Sequence, residues 1–246
     1  MKKYLRVKVL MKTKVVFKDL GLVDYKEAWD YQERLFEEVV SQKRRNQSNR
    51  NPDRTNNYLI FCEHPHVYTI GRNGSESNLL IDQVQLKERH AGFYRINRGG
   101  DITYHGPGQI VGYPIFDLEV FRLKIKQYIT GLEESVIRTL GNFGLKGERT
   151  TNGTGVWLDS EIKNKSRKIC AIGVRASRYV TMHGFAFNIS TDLSYFNQIN
   201  PCGFVDKGVT SLEKETGIKP DMNEVKDLLK RNIADVFSMR LVNKTA

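Results

Sequence analysis

The segment 98–108 is the feature that most restricts how this chain can fold. It reads RGGDITYHGPG, with four glycines and one proline, and it lies between two apolar runs that are typical of strands. Glycine lets the backbone approach a ligand closely and adopt conformations closed to other residues, and proline stiffens the segment. A purely structural connection needs far fewer such residues. We therefore expect a loop that holds a ligand, with reactive groups nearby.

Hydrophobic spacing predicts a mixture of helices and strands. Apolar residues recur at helical spacing over about 24–42, 125–141 and 225–237. Runs rich in β-branched and aromatic residues, separated by Gly or Asn, predict seven strands at 58–62, 67–70, 93–97, 110–116, 154–158, 168–174 and 181–189. The sequence shows no internal repeat and no proline-rich linker. The pattern predicts one α/β or α+β domain.

The positive charge is concentrated in two short stretches. Residues 1–18 hold seven Lys and Arg and no acid, and residues 41–54 hold five against one Asp, which together account for the net charge of +11. We expect a basic extension over 1–18, a single catalytic domain over 19–246, and a polar, solvated insertion over about 41–56. A non-catalytic nucleic-acid-binding protein would also explain the charge, but no recognition helix or aromatic RNA-binding motif is present.

The chain contains no run of about 18 apolar residues that could span a membrane, and basic residues interrupt its start, so no signal peptide is predicted. We expect a cytoplasmic protein. Cys62, Cys170 and Cys202 are too few for a disulfide framework. Cys170 lies in an apolar strand and is predicted to pack as a small hydrophobe.

Several histidines leave more than one interpretation open. The spacing of Cys62, His64 and His66 could present three soft metal ligands, but no fourth partner is evident, so we expect no metal site. His105 lies inside the glycine-rich segment, where it could contact a substrate, orient the loop or serve as a structural hydrogen-bonding group. For His183 a structural role is favoured.

Cys202 is the candidate nucleophile. It lies between Pro201 and Gly203, outside any strong apolar period, which indicates a thiol on a shaped turn rather than a core residue. A free thiol has a pKa of about 8.5, so a nearby cation must lower that pKa to provide thiolate at neutral pH. Lys168 is our candidate for the cation. An incidental loop cysteine and a solvated strand-edge lysine are the alternatives.

Basic residues also alternate with the predicted strand that contains Cys170. They are Lys163, Lys165, Arg167, Lys168, Arg175 and Arg178. Such a pattern suits the docking of an acidic partner, because complementary charge steers encounter.

Five blocks of sequence, in order, resemble the lipoyl(octanoyl) transferases. The blocks read EHPHVYTIGR at 63–72, RGGDITYHGPGQIVGYP at 98–114, KICAIGVR at 168–175, HGFAFN at 183–188 and PCG at 201–203. The resemblance spans about residues 58–215. It implies the biotin/lipoate protein ligase fold, with a mixed sheet flanked by helices.

The same resemblance implies the reaction. An octanoyl group moves from acyl carrier protein, through a cysteine thioester, onto a specific lysine of the lipoyl domains of 2-oxoacid dehydrogenases and of the glycine cleavage H protein. This transfer is the first step of endogenous protein lipoylation. It needs no cofactor, metal or nucleic acid, and we expect a monomer. An ATP-dependent lipoate-protein ligase of the same fold is the alternative, which would activate a free acid as an adenylate without a nucleophilic cysteine.

The resemblance also implies the site. Cys202 and Lys168 match the catalytic positions of the family. The residues that match its substrate-binding segments are Arg98, Gly99, Gly100, Asp101, Ile102, Thr103, Tyr104, His105, Ala171, Ile172, Gly173, Gly184, Phe185 and Ala186. We expect these segments to line an acyl tunnel, in which small residues make room for the chain.

Overall fold

The computed structural model describes residues 12–50, 53–151, 153–200 and 207–243. The strands are β1 (Thr13–Leu22), β2 (Tyr58–Glu63), β3 (Val67–Ile70), β4 (Gly92–Arg95), β5 (Ile102–His105), β6 (Gln109–Ile115), β7 (Glu148–Thr150), β8 (Gly153–Leu158), β9 (Arg167–Ser177), β10 (Val180–Asn188), β11 (Gly208–Val209) and β12 (Met239–Asn243). The α-helices are α1 (Tyr25–Gln47), α2 (Gln83–Glu88), α3 (Ile125–Gly141), α4 (Leu212–Thr216) and α5 (Met222–Val236).

Most of the strands join one large mixed sheet, as the fold prediction requires. Its order is β12-β1-β2-β6-β10-β9-β8-β7, with β11 alongside β9. β1 runs parallel to β12 and β2, and the β2-β6-β10-β9-β8 pairs are antiparallel. A small sheet, β4-β3-β5, carries part of the glycine-rich segment.

Helices cover both faces of the large sheet because each has an apolar stripe. In α3, Tyr128, Leu132, Val136 and Leu140 follow one another at four-residue spacing, and all are fully buried in a core shared with α5. Burial of each such side chain contributes about 1.5–3 kcal/mol. α1 packs on the other face against β6 and β10. The three predicted helices and seven predicted strands are confirmed, with shifted ends.

The predicted boundaries need three corrections. β5 lies inside the expected loop, where residues 102–105 pair antiparallel with β3. Residues 13–18, assigned to a basic extension, form the first six residues of β1. The expected polar loop begins within α1, which continues to Gln47 because its last turns have polar partners: the Lys43 ammonium pairs with Asp117 and Glu119.

Within the ranges described, no helix combines the length and apolar character needed to cross a bilayer.

Candidate active site

A cavity of about 920 Å³ lies where the small sheet, β9 and β10 meet. Six residues within 193–200 and residues 207–209 complete its wall together with parts of β6 and β8. The cavity therefore brings together segments from distant parts of the sequence, including three of the five blocks that carry the family resemblance.

All but one of the expected substrate-binding residues line this cavity. They are Arg98, Gly99, Gly100, Asp101, Ile102, Thr103, His105, Ala171, Ile172, Gly173, Gly184, Phe185 and Ala186. Tyr104 is the exception. Its ring packs within the small sheet's core against Tyr68, Tyr195 and Phe196, and its hydroxyl lies 2.7 Å from His66 Nδ1. We therefore assign Tyr104 a packing role instead of ligand contact.

The glycines allow the 98–100 segment to lie directly against β9. The N–H of Gly99 donates to the carbonyl of Val174 over 3.0 Å. A Cβ on Gly173 would lie 2.9 Å from the carbonyl oxygen of Gly99, so a side chain there would push the two backbones apart. Gly100 has a φ of +88°, which L-residues with side chains rarely adopt. The glycines are therefore needed for two structural reasons: the close approach of this segment to β9 and the positive φ of Gly100.

Arg98 is fixed by hydrogen bonds inside the protein. Its Nη2 donates to the carbonyl oxygen of Thr69 over 2.7 Å and to the hydroxyl of Thr69 over 3.0 Å. The residue is only 8% exposed although it lines the cavity. Its guanidinium thus holds the glycine-rich segment to β3.

Lys168 lines the same cavity from the start of β9. Its Nζ lies 4.6 Å from the centroid of the Trp157 ring, on the neighbouring strand β8. The ammonium of Lys207 lies 4.9 Å from the same ring. An aromatic face attracts cations, so Trp157 orients both lysines. Sequence analysis missed Trp157 and Lys207, since an aromatic residue in an apolar strand predicts only core packing.

Cys202 lies outside the described residues, within 201–206. The residues on either side of that segment, Asn200 and Lys207, both line the cavity. The closeness of Cys202 to Lys168 stays a prediction. The two other cysteines, Cys62 and Cys170, are fully buried, and burial raises the pKa of both thiols. The predicted packing role of Cys170 is confirmed, and Cys62 is equally buried.

Three buried histidines are neutral at physiological pH. Burial lowers the pKa of His64 to about 4 and the pKa values of His105 and His183 to about 3. His105 Nδ1 lies 2.8 Å from Gln109 Oε1, and His183 Nε2 lies 2.8 Å from Asn97 Oδ1. Both histidines line the cavity.

The side chains of Cys62, His64 and His66 do not converge. Cys62 Sγ lies 3.4 Å from His64 Nε2, whereas His66 bonds Tyr104 in the small sheet. Across the part of the chain that the structure describes, no group of three or more His, Cys, Asp or Glu side chains could hold a metal ion.

The expected basic patch is divided by ion pairs. Arg167 pairs with Asp159 and Glu215, and Arg175 pairs with Glu33 at 3.0 Å. The two arginines are also eight residues apart along β9, roughly 26 Å at the rise of a strand. Two of the six basic residues are therefore matched by acidic partners within the chain, and the docking of an acidic partner on this strand stays a prediction.

Comparison with known proteins gives consistent matches. The family described as "Lipoyl protein ligase A/B catalytic domain" matches residues 24–234. The octanoyltransferase of Parabacteroides distasonis is 54% identical over 222 residues, which cover 90% of this chain and 98% of the relative. The octanoyltransferase of Cytophaga hutchinsonii is 50% identical over 233 residues, which cover 94% of this chain and 96% of the relative.

Solved structures match the fold at low identity. A lipoate-protein ligase A bound with ATP has a TM-score of 0.65 at 15% identity, covering 96% of this chain and 90% of that one. A bi-partite lipoate protein ligase from Thermoplasma acidophilum has a TM-score of 0.61 at 15% identity, and the match covers 96% of this chain and 87% of that one. These matches confirm the fold, and the relatives confirm the family resemblance. The chain belongs to the lipoyl protein ligase A/B catalytic domain family and, within it, to the octanoyltransferases, which are transferase enzymes.

Proposed function

We propose that the enzyme takes an octanoyl group from acyl carrier protein, holds it on Cys202 and delivers it to a specific lysine of lipoyl domains. The acceptors are the lipoyl domains of 2-oxoacid dehydrogenases and the glycine cleavage H protein. The observation that carries this proposal is the cavity: Lys168, the glycine-rich segment and both residues flanking 201–206 line the same space.

The cavity wall suits an acyl chain. Small residues from two adjacent strands, Ala171, Gly173, Gly184 and Ala186, leave room beside the backbone. Larger apolar residues such as Phe185 contribute contact area elsewhere. Each buried methylene contributes about 0.8 kcal/mol, so an octanoyl chain gains several-fold more than a short acyl group.

In the first half-reaction, the thiolate of Cys202 attacks the carbonyl carbon of the carrier thioester. A new C–S bond forms, and the C–S bond to the carrier breaks. The ammonium of Lys168 gives a proton to the departing thiol and becomes neutral. One thioester replaces another, so this step is close to energetic balance and needs no ATP.

In the second half-reaction, the amine of the acceptor lysine attacks the acyl-enzyme. Neutral Lys168 takes the proton from the attacking amine, the C–S bond to Cys202 breaks, and the thiolate and the Lys168 ammonium are restored. The amide product is more stable than the thioester, which drives the cycle forward. Backbone N–H groups would stabilise the oxyanion in both steps.

A turnover assay separates this proposal from an ATP-dependent ligase. Octanoyl-acyl carrier protein is incubated with an apo lipoyl domain without ATP, and the intact mass of the domain is followed. We expect the domain to gain one octanoyl group with the wild-type enzyme and none with Cys202→Ser. Transfer only from free octanoate plus ATP, with Cys202→Ser fully active, would support the ligase.

The proposal places the reaction in the cytoplasm and the active enzyme as a monomer. Light scattering coupled to size-exclusion chromatography tests the second point. A mass of one chain, near 28.4 kDa, is expected at the assay concentration.

A further inference from the structure

A row of buried polar side chains crosses the region between the two sheets. It joins the small sheet to the large one, and its members are at most 8% exposed. They are Arg98, Thr69, His105, Gln109 and Asn188, and the row ends on the backbone carbonyl of Thr210. Arg98, His105, Gln109 and Asn188 also line the cavity. We call this set the buried polar row.

Two backbone carbonyls fix the orientation of both amides in the row. A carbonyl oxygen only accepts hydrogen bonds, so the atom facing it must be the amide nitrogen. Gln109 Nε2 donates to the carbonyl of Tyr104 over 3.2 Å, and Asn188 Nδ2 donates to the carbonyl of Thr210 over 2.9 Å. Gln109 Nε2 therefore also donates to Asn188 Oδ1, over 2.8 Å.

These orientations determine where His105 carries its proton. The Oε1 of Gln109 accepts from His105 Nδ1 over 2.8 Å, so the proton is on Nδ1. The bare Nε2 then faces the hydroxyl of Thr69 at 3.4 Å. That hydroxyl accepts from Arg98 Nη2 over 3.0 Å, so its own proton points to His105.

All donors in the row point the same way, from the Arg98 cation to the carbonyl of Thr210. Bonds aligned in this manner polarise and strengthen one another. The row continues into the backbone of the site, because the N–H of Thr210 donates to the carbonyl of Lys168 over 3.0 Å. It therefore connects the glycine-rich segment with the strand that carries the proposed proton-transfer residue.

We infer that Gln109 and Asn188 are positioning residues: their amides hold the glycine-rich segment and the Lys168 strand at a fixed separation across the cavity. This inference rests on the proposed acyl transfer. An apolar pair of similar size would fill the space, but it would leave the carbonyls of Tyr104 and Thr210 without these donors. The two amides thus position the glycine-rich segment relative to the Lys168 strand, in addition to filling the space between them.

The main test is Asn188→Asp, which exchanges one donor for an acceptor with almost no change in size. At pH 8 the introduced carboxylate repels the carbonyl of Thr210. A shift of the Lys168 strand of about 1 Å costs roughly 100-fold in rate, so we expect kcat to fall about 10- to 100-fold with little change in KM for the acyl carrier. As the pH falls, the protonated carboxyl donates to Thr210 again, so activity relative to wild type recovers.

Two matched variants separate positioning from folding. Asn188→Leu cannot donate at any pH, so its relative activity stays low throughout the pH range. Asn57→Asp makes the same chemical change at a buried Asn that bonds the carbonyl of Thr55 and does not line the cavity. We expect it to lower stability without a selective loss of kcat. Equal kcat losses in the two Asp variants, or no recovery of Asn188→Asp at low pH, would overturn the inference.

A measurement independent of activity tests the direction in which the hydrogen bonds of the row are donated. Nitrogen-15 NMR of the histidine side chains in the wild-type enzyme should show His105 protonated on Nδ1 and bare on Nε2. A proton on Nε2 would contradict the assigned amide orientations. A wild-type enzyme that transfers no octanoyl group would contradict the proposed function instead, while the tautomer would still decide the direction of the row.

Discussion

The core beneath α3 and α5 and the region between the two sheets are buried to a similar degree but differ in chemistry. The first is built on a large cluster of apolar side chains, which includes Leu132, Val136 and Leu229. The second contains Thr69, His105, Gln109 and Asn188. Apolar burial is non-directional and supplies stability, whereas buried hydrogen bonds require particular orientations. The comparison teaches that the core under α3 and α5 mainly stabilises the fold, whereas the region between the sheets mainly positions the groups around the cavity.

The largest effect should come from Lys168→Met, on the site side of this comparison. Loss of a proton-transfer group costs about 10²- to 10⁴-fold in rate, so we expect that decrease in kcat/KM with little change in Tm. The control is Lys207→Met, since Lys207 lies over the same Trp157 ring. Losing a cation–π contact of about 1 kcal/mol should lower the rate by a factor of about 5 at most. Equal losses in both variants would show that charge near Trp157 matters and proton transfer by Lys168 does not.

The second effect concerns the apolar core. Leu229→Ala removes a fully buried side chain from α5, and such truncations cost about 2–5 kcal/mol in free energy of unfolding. Activity per folded molecule should stay unchanged. Leu22→Ala, at a 65% exposed leucine, should have a small effect on stability. Urea unfolding and a turnover assay on the same samples make the comparison. A strong loss of kcat in folded Leu229→Ala would mean that the two regions are coupled.

The third effect is a loss of stability in acid. Burial lowers the pKa of His64 to about 4, below its value in the unfolded chain. Between pH 6.5 and 4 the unfolded chain therefore binds more protons, and stability falls as the pH falls. His64 alone contributes a loss of roughly 3 kcal/mol across that window. Urea titrations at several pH values should show a flatter dependence for His64→Gln. If stability depends on pH in the same way in His64→Gln and in wild type, His64 does not contribute to the loss of stability in acid.

The smallest effect concerns the contact between β9 and the glycine-rich segment. Gly173→Ala places a methyl group 2.9 Å from the carbonyl oxygen of Gly99, and such overpacking costs about 1–3 kcal/mol. We expect lower stability together with weaker binding of octanoyl-acyl carrier protein. Gly141→Ala, where a Cβ meets no atom within 4 Å, should leave both unchanged or slightly improved. Normal substrate binding by Gly173→Ala would separate this contact from the acyl site.

Hydrophobic spacing predicted the elements that bury a regular apolar stripe, such as α3 and α5. It did not predict β5, because residues 102–105 lie among glycines and polar residues, which are typical of a loop. The strand forms by pairing with β3, which lies more than 30 residues earlier in the chain. The end of α1 was also missed. Its basic last turns gain their partners, Asp117 and Glu119, only through tertiary contact.

Much of the candidate site could be predicted because its residues lie in the sequence blocks that carry the resemblance to the octanoyltransferases. Gln109 and Asn188 lie in two of these blocks, but their role depends on contacts across two sheets, which spacing does not show. Trp157 lies outside the blocks. Tyr104 was assigned to the cavity with its neighbours, although its ring belongs to the small sheet's core.

The central claim is that Cys202 carries the acyl group between two macromolecules. The most direct measurement is the intact mass of the enzyme after incubation with octanoyl-acyl carrier protein in the absence of an acceptor. We expect one added octanoyl group, removed by hydroxylamine, mapped by peptide sequencing to Cys202 and absent from Cys202→Ser. An enzyme that acylates lipoyl domains without ATP and never shows this adduct, or that carries it on another residue, would contradict the account.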